Sequence, residues 1–153
     1  MRSARAAARG SRAEIAEITG FLADPHICGV LVIGASGMGK TTIINGVAAN
    51  LDPDASVFRF RGSNLIATRK LGIFEVLLSC EGEQADEIAS GAALSIMSRI
   101  FEREHSPVVL IDNADRVDEH SLSIVAQLAA AGRNTLVAAA ETIRPPVDLL
   151  AAL

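Results

Sequence analysis

Gly34–Thr41 reads GASGMGKT and fits the pattern G-x-x-x-x-G-K-[ST]. Gly34, Gly37 and Gly39 let the backbone turn tightly, with positive φ where the turn needs it, so that successive N–H groups point at one phosphate. A helix starting directly after the loop adds the positive end of its dipole. The expected phosphate cradle is Gly34, Ala35, Ser36, Gly37, Met38, Gly39, Lys40, Thr41 and Thr42. Within it Lys40 reaches the β- and γ-phosphates, and Thr41 offers its hydroxyl to Mg²⁺. The run sits between an apolar stretch and a helical one, which is the context this chemistry requires.

VVLIDNAD supplies a second half for such a site. An apolar strand ends in Asp112, a carboxylate that would hold Mg²⁺, usually through water. The next position often carries a second carboxylate in fast ATPases, to orient and deprotonate the attacking water. Here it is Asn113, whose amide can position water but cannot take its proton. Asp115 is either a replacement base or a charge at the start of the next helix. In additional-strand P-loop ATPases a further strand lies between the two nucleotide-bearing ones, and a polar residue at its end senses the γ-phosphate. NTLVAAA is the candidate strand, Thr142 the candidate sensor and Arg144 a looser phosphate contact; an ordinary surface turn is the other reading of both.

These residues need a scaffold of alternating strands and helices, and the chain has one. GVLVIG is a buried strand and KTTIINGVAANL a helix closed by Asp52-Pro53. SVFRFRG alternates apolar and charged residues, as a strand with one wetter face does, which accounts for FRFR better than a nucleic-acid-stacking patch. A polar loop runs to about Lys70, followed by a helix over LGIFEVLLS and an acidic loop, CEGEQAD. Helical spacing runs from Glu87 to Glu104, VVLI is a second buried strand, and Ser121 to Ala131 is a helix capped by Gly132. A short helix spans Ile15 to Leu22 and another begins at Val147. Such alternation implies a parallel sheet covered on both faces.

The bulk numbers narrow the class. With 153 residues the chain makes one domain, 1–153, whose core must be aliphatic, since it has no Trp, no Tyr and five Phe. A formal net charge of −4 gives no global attraction to nucleic acid. Cys28 and Cys80 have no metal spacing and read as reduced thiols of a cytoplasmic protein; His26, His105 and His120 are scattered. No apolar run is long enough to span a bilayer as a helix. Residues 1–12 are basic and acid-free, and are expected to be a tail, a linker or a solvated helix whose Arg2, Arg5, Arg9 and Arg12 share one face; an organelle transit peptide is the remaining reading.

With these residues in place, the chain resembles the N-terminal ATP-binding module of large LuxR-type transcriptional regulators of actinobacteria, in the signal-transducing (STAND) branch of P-loop ATPases related to AAA+ proteins. RAEIAEITGFLADPHICGVLVIGASGMGKTTII is similar to that family's opening, ATRKLGIFEVLL to its intermediate segment, and VVLIDNADRVDEHSLSIVAQL to its second motif, matching Asp112, Asp118 and Ser121. TLVAAAETIRPPVDLLAAL is similar to its following strand and turn. Asn113 departs from the family, replacing a second acid, and the family's DNA-reading helix-turn-helix has no counterpart here.

The resemblance implies an α/β three-layer fold with strand order 5-1-4-3-2. The last strand and the helical lid would be missing, which would leave the P-loop strand at an exposed apolar edge and make 1–153 a piece of a longer regulator. It also implies ATP and Mg²⁺ as ligands, a switch role with slow or partner-dependent hydrolysis, and partners in further domains or a homo-oligomer, with DNA contacted only through an absent domain. The alternatives are an AAA+-type ATPase working in an oligomer and, third, a small-molecule phosphotransferase.

Overall fold

A computed structural model describes residues 2–7 and 12–151 of the chain. Five strands form one all-parallel sheet in the order β1-β2-β5-β4-β3: β1 is Arg2–Ala7, β2 Ile27–Ile33, β3 Val57–Arg61, β4 Val108–Asp112 and β5 Thr135–Ala140. The helices between them are α1 (Arg12–Leu22), α2 (Lys40–Ala49), α3 (Asn64–Ala67), α4 (Glu75–Cys80), α5 (Ser90–Glu102) and α6 (Glu119–Ala130), and α7 (Asp148–Ala151) follows β5.

Period-two alternation sorts the strand side chains between two cores. Val30, Val32, Val108, Leu110, Val137 and Ala139 face one way and pack with Ile18 of α1 and Ile43, Ile44 and Val47 of α2. Leu31, Val109, Ile111, Leu136 and Ala138 face the other way, against Leu78 of α4, Met97 and Phe101 of α5, Leu122 and Val125 of α6, and Leu150 of α7. The result is the three-layer α/β arrangement expected. Because β2, β4 and β5 are covered on both faces, they read in sequence as continuous apolar runs. β3 is covered on one face, where Phe58 meets Phe101 and Phe60 meets Phe74 edge-on, with ring centroids 5.1 and 5.4 Å apart. Its opposite face is wetter, which explains the FRFR pattern as a strand.

The amino-terminal expectation is corrected. Residues 2–7 of the supposed tail form β1, which runs parallel to β2 in register from Ser3↔Gly29 to Ala7↔Ile33, and Arg12 opens α1. Residues 1 and 8–11, Arg9 among them, lie outside the described residues. Counted from β2, the sheet keeps the 1-4-3-2 order expected, and β1 occupies the flank assigned to strand 5. The P-loop strand is therefore not an open edge. Unpaired N–H and C=O groups along so apolar a strand favour pairing with any extended segment that can reach them. Small residues suit that position: Ala4 packs partly buried on the α1/α2 core, and Arg5 reaches solvent.

Smaller differences follow from local capping. The polar loop before Lys70 contains α3, capped by the Ser63 side chain, which accepts from Ile66 N. The helix expected over LGIFEVLLS starts one residue late, because Leu71 adopts a left-handed conformation at φ 58°, and it divides into a 3-10 turn, Gly72–Phe74, and α4. Among the described residues, no helix is long and apolar enough to cross a membrane.

Candidate functional site

β2 ends at Ile33 and α2 begins at Lys40, so the loop between them stands at the carboxyl end of the sheet. Gly34 N donates to Ala140 O of β5 at 3.2 Å, which fixes where the loop departs. Gly37 and Gly39 sit at φ +83° and +85°, the region that favours glycine over residues with a Cβ, so the turn demands the glycines that the pattern supplies. α2 follows at once and aims its free N–H groups and positive dipole end at the loop.

Lys40 is buried, and its Nζ donates to Gly34 O at 2.5 Å and Ala35 O at 2.9 Å. The loop's own carbonyls thus hold the ammonium inside the turn. Thr41 Oγ1 donates to Asp112 Oδ2 at 2.7 Å, and Asp112 Oδ1 accepts from Asn113 N at 3.0 Å. A hydroxyl and a carboxylate, both hard oxygen donors, therefore meet at the mouth of the loop, a donor pair suited to Mg²⁺ with its remaining ligands from water and phosphate. Asn113 adopts φ 52°, a left-handed conformation that Asn tolerates better than most residues.

A cleft of about 440 Å³ is lined by Ser36, Gly37, Gly39, Lys40, Thr41, Thr42, Arg61, Asn113, Arg116 and Glu141. Ser36, Gly37, Gly39, Lys40, Thr41, Thr42 and Asn113, separated in sequence, line one cleft; Gly34, Ala35, Met38 and Asp112 are not among its lining residues, and Asp112 is tied to it through the Thr41 hydroxyl. Thr142, Ile143 and Arg144 are exposed past the end of β5, and Glu141, the first residue after that strand, borders the cleft in place of Thr142. Asp115 is not among the residues lining it, and its Oδ1 is buried without a hydrogen-bond partner. Sequence reasoning missed Arg61, Arg116 and Glu141 as cleft residues. The position of Arg61 at the carboxyl end of an alternating strand was the one available signal.

Asp118 and Ser121, matched above to a family pattern, serve the frame around the site. Asp118 caps α6, accepting from Ser121 N at 3.0 Å and Ser121 Oγ at 2.6 Å, and it also accepts from Leu71 N at 2.9 Å and Gly72 N at 3.2 Å. One buried carboxylate thereby joins α6 to the left-handed turn before α4.

A larger cleft, about 590 Å³, opens at the amino ends of β2, β4 and β5, bordered by Leu22, Pro25, Cys28, Leu51, Pro107 and Asn134 among others. Burial pushes the Cys28 thiol above its ordinary pKa there. In open parallel sheets the ligand crevice lies at the carboxyl ends of the strands, so the smaller cleft at the loop is the nucleotide candidate.

Fold, loop geometry and the Thr41–Asp112 pair define a P-loop nucleotide-binding protein. Residues 9–138, most of the 153-residue chain, match the AAA ATPase domain family, and the chain belongs to it. No curated protein matches the chain.

Proposed function

We propose that this domain is an ATP-gated switch. ATP with Mg²⁺, cradled by Gly34–Thr42 and held at Asp112, sets one conformation, and slow or partner-dependent hydrolysis resets it. Thr41 and Asp112 would hold the ion, which would supply positive charge for the triphosphate, and Lys40 would contact the β- and γ-phosphates. The observation that carries this reading is Asn113. It borders the cleft directly after Asp112, at the position where a fast hydrolase would carry a proton acceptor, and it presents an amide. The likeness to LuxR-type regulators supports the same role, with further domains of a regulator or a second copy as the partners that receive the signal. Thr142 is kept as a γ-phosphate sensor only through a rearrangement of the turn after β5.

A second reading, an AAA+-type hydrolase acting in an oligomer, has Glu141 in its favour, a carboxylate that borders the cleft. Phosphate release measured for the wild type, Asn113→Glu and Glu141→Gln separates the two. The switch predicts turnover below about one per minute without a partner, against about 1–10³ s⁻¹ for typical enzymes, and a gain on Asn113→Glu. Faster turnover in the isolated wild type that Glu141→Gln abolishes would establish the hydrolase instead.

A further inference from the structure

Arg59 and Arg61 lie on one face of β3, because Phe58 and Phe60 take the other. Arg59 Nη2 donates to Asn45 Oδ1 of α2 at 2.5 Å, which registers the strand against the helix. One turn before Asn45 stands Thr41, about 6 Å along the axis at ~1.5 Å per residue. Two residues past Arg59 stands Arg61, about 6.6 Å along the strand at ~3.3 Å per residue. Both steps run toward the carboxyl end of the sheet, since α2 returns against the parallel strands. Arg61 is thereby carried beside Thr41, and both residues border the cleft.

Arg116 arrives by a different route. Gly62 N donates to Asp112 O at 2.8 Å, and Ser63 N donates to Arg116 O at 3.0 Å. A Cβ on Gly62 would collide with the Asn113 carbonyl oxygen and come within 2.8 Å of the Arg116 carbonyl. Only glycine lets the 3-10 turn Ala114–Arg116 close on the end of β3, and that closure brings Arg116 to the same cleft. Neither guanidinium has a hydrogen-bond or ion-pair partner among the described residues. Two unpaired arginines and Lys40 share a cleft whose lining includes one carboxylate, Glu141, in a chain of formal net charge −4.

We infer that Arg61, with Arg116 beside it, reads the terminal phosphate of a nucleoside triphosphate from within the same chain. The inference rests on the nucleotide reading above and adds to it the groups that tell triphosphate from diphosphate. A planar guanidinium fork matches two phosphate oxygens at once, and Arg61 stands on the Thr41 side of the cleft, where the γ-phosphate and its metal ion would lie. Diphosphate leaves both arginines without that partner. β3 is an edge strand, and Gly62 couples its end to the turn holding Asn113. Gain or loss of one phosphate would therefore be felt at the edge of the sheet.

Titration calorimetry with Mg²⁺·ATP and Mg²⁺·ADP tests this on the wild type, Arg61→Ala, Arg61→Lys and the double variant Arg61→Ala/Arg116→Ala. Arg61 is exposed, so its removal leaves the fold intact, with a melting curve as the control. Arg61→Ala is expected to weaken ATP at least tenfold, about 1.4 kcal/mol, while ADP changes little. Arg61→Lys should recover part of the loss, and the double variant should bind ATP and ADP nearly equally. An ATP-to-ADP preference unchanged by these substitutions, with ADP still bound, overturns the phosphate-reading role alone. A wild type that binds neither nucleotide overturns the nucleotide reading and this inference together.

Discussion

The Thr41 hydroxyl donates to the Asp112 carboxylate at 2.7 Å, joining two motifs that stand 71 residues apart in the chain. Neither motif alone brings the hydroxyl to the carboxylate; the parallel sheet does, by ending β2 and β4 on the same side with β5 between them. If this pair holds Mg²⁺, wild-type ATP affinity should rise on adding Mg²⁺ to an EDTA-treated sample. Thr41→Ala and Asp112→Asn should each lose most of that rise. Equal Mg²⁺ dependence in all three proteins would remove the pair's metal role.

Lys40 is held by two carbonyls of its own loop, so its ammonium is pre-positioned before any ligand arrives. Lys40→Ala is expected to weaken ATP binding at least tenfold, or about 1.4 kcal/mol, measured by calorimetry. Unchanged affinity would refute the phosphate contact.

Asp118 is expected to matter for stability rather than for nucleotide chemistry. Asp118→Ala removes a helix cap, typically about 0.5–2 kcal/mol, and leaves the Leu71 N–H buried without an acceptor, roughly 1–3 kcal/mol more, while Gly72 N keeps its bond to Arg69 O. Urea unfolding should show a loss of roughly 3 kcal/mol. A variant as stable as the wild type would show that the four hydrogen bonds to this carboxylate are replaced by water.

Gly62→Ala tests the close approach of β3 to the 113–116 turn. The added methyl has no room between Asn113 and Arg116, so the turn must shift, at roughly 1–3 kcal/mol. Because Arg116 and Asn113 move with it, ATP affinity should fall along with the melting temperature. A variant with normal stability would mean that the turn yields without strain.

Cys28 and Cys80 should separate by alkylation. The thiolate is the reactive form, and burial raises the Cys28 pKa, so less of it is ionised at a given pH. Exposed Cys80 should react first at pH 8, and Cys28 should respond only toward higher pH or on unfolding. Equal labelling rates in the native protein would contradict the burial of Cys28.

The site was legible in unequal parts. Gly34–Thr41 and Asp112 were readable because their chemistry fixes both residue types and spacing: glycine where φ is positive, lysine at the helix start, a carboxylate at the end of an apolar strand. Asp118 was visible as a residue of a pattern, but its four-bond hub was not, since Leu71 and Gly72 approach it only in the folded chain. Thr142 has the character of a polar residue at a strand end, whereas in the folded chain Glu141 borders the cleft. Arg61 looked like the charged half of an alternating strand, which it is, and nothing local said what stood opposite.

Local pattern thus settled the elements, their alternation and the phosphate loop, since periodicity, glycine conformation and helix termini act over a few residues. Pairing across the sheet settled the rest. β1 was hidden because RSARAA carries no strong strand signal of its own and gains its partner only from β2, twenty-odd residues away. The convergence of Arg61 and Arg116 on the loop was hidden for the same reason. It depends on the register between β3 and α2 and on the missing side chain of Gly62, contacts between segments that no single stretch of sequence contains.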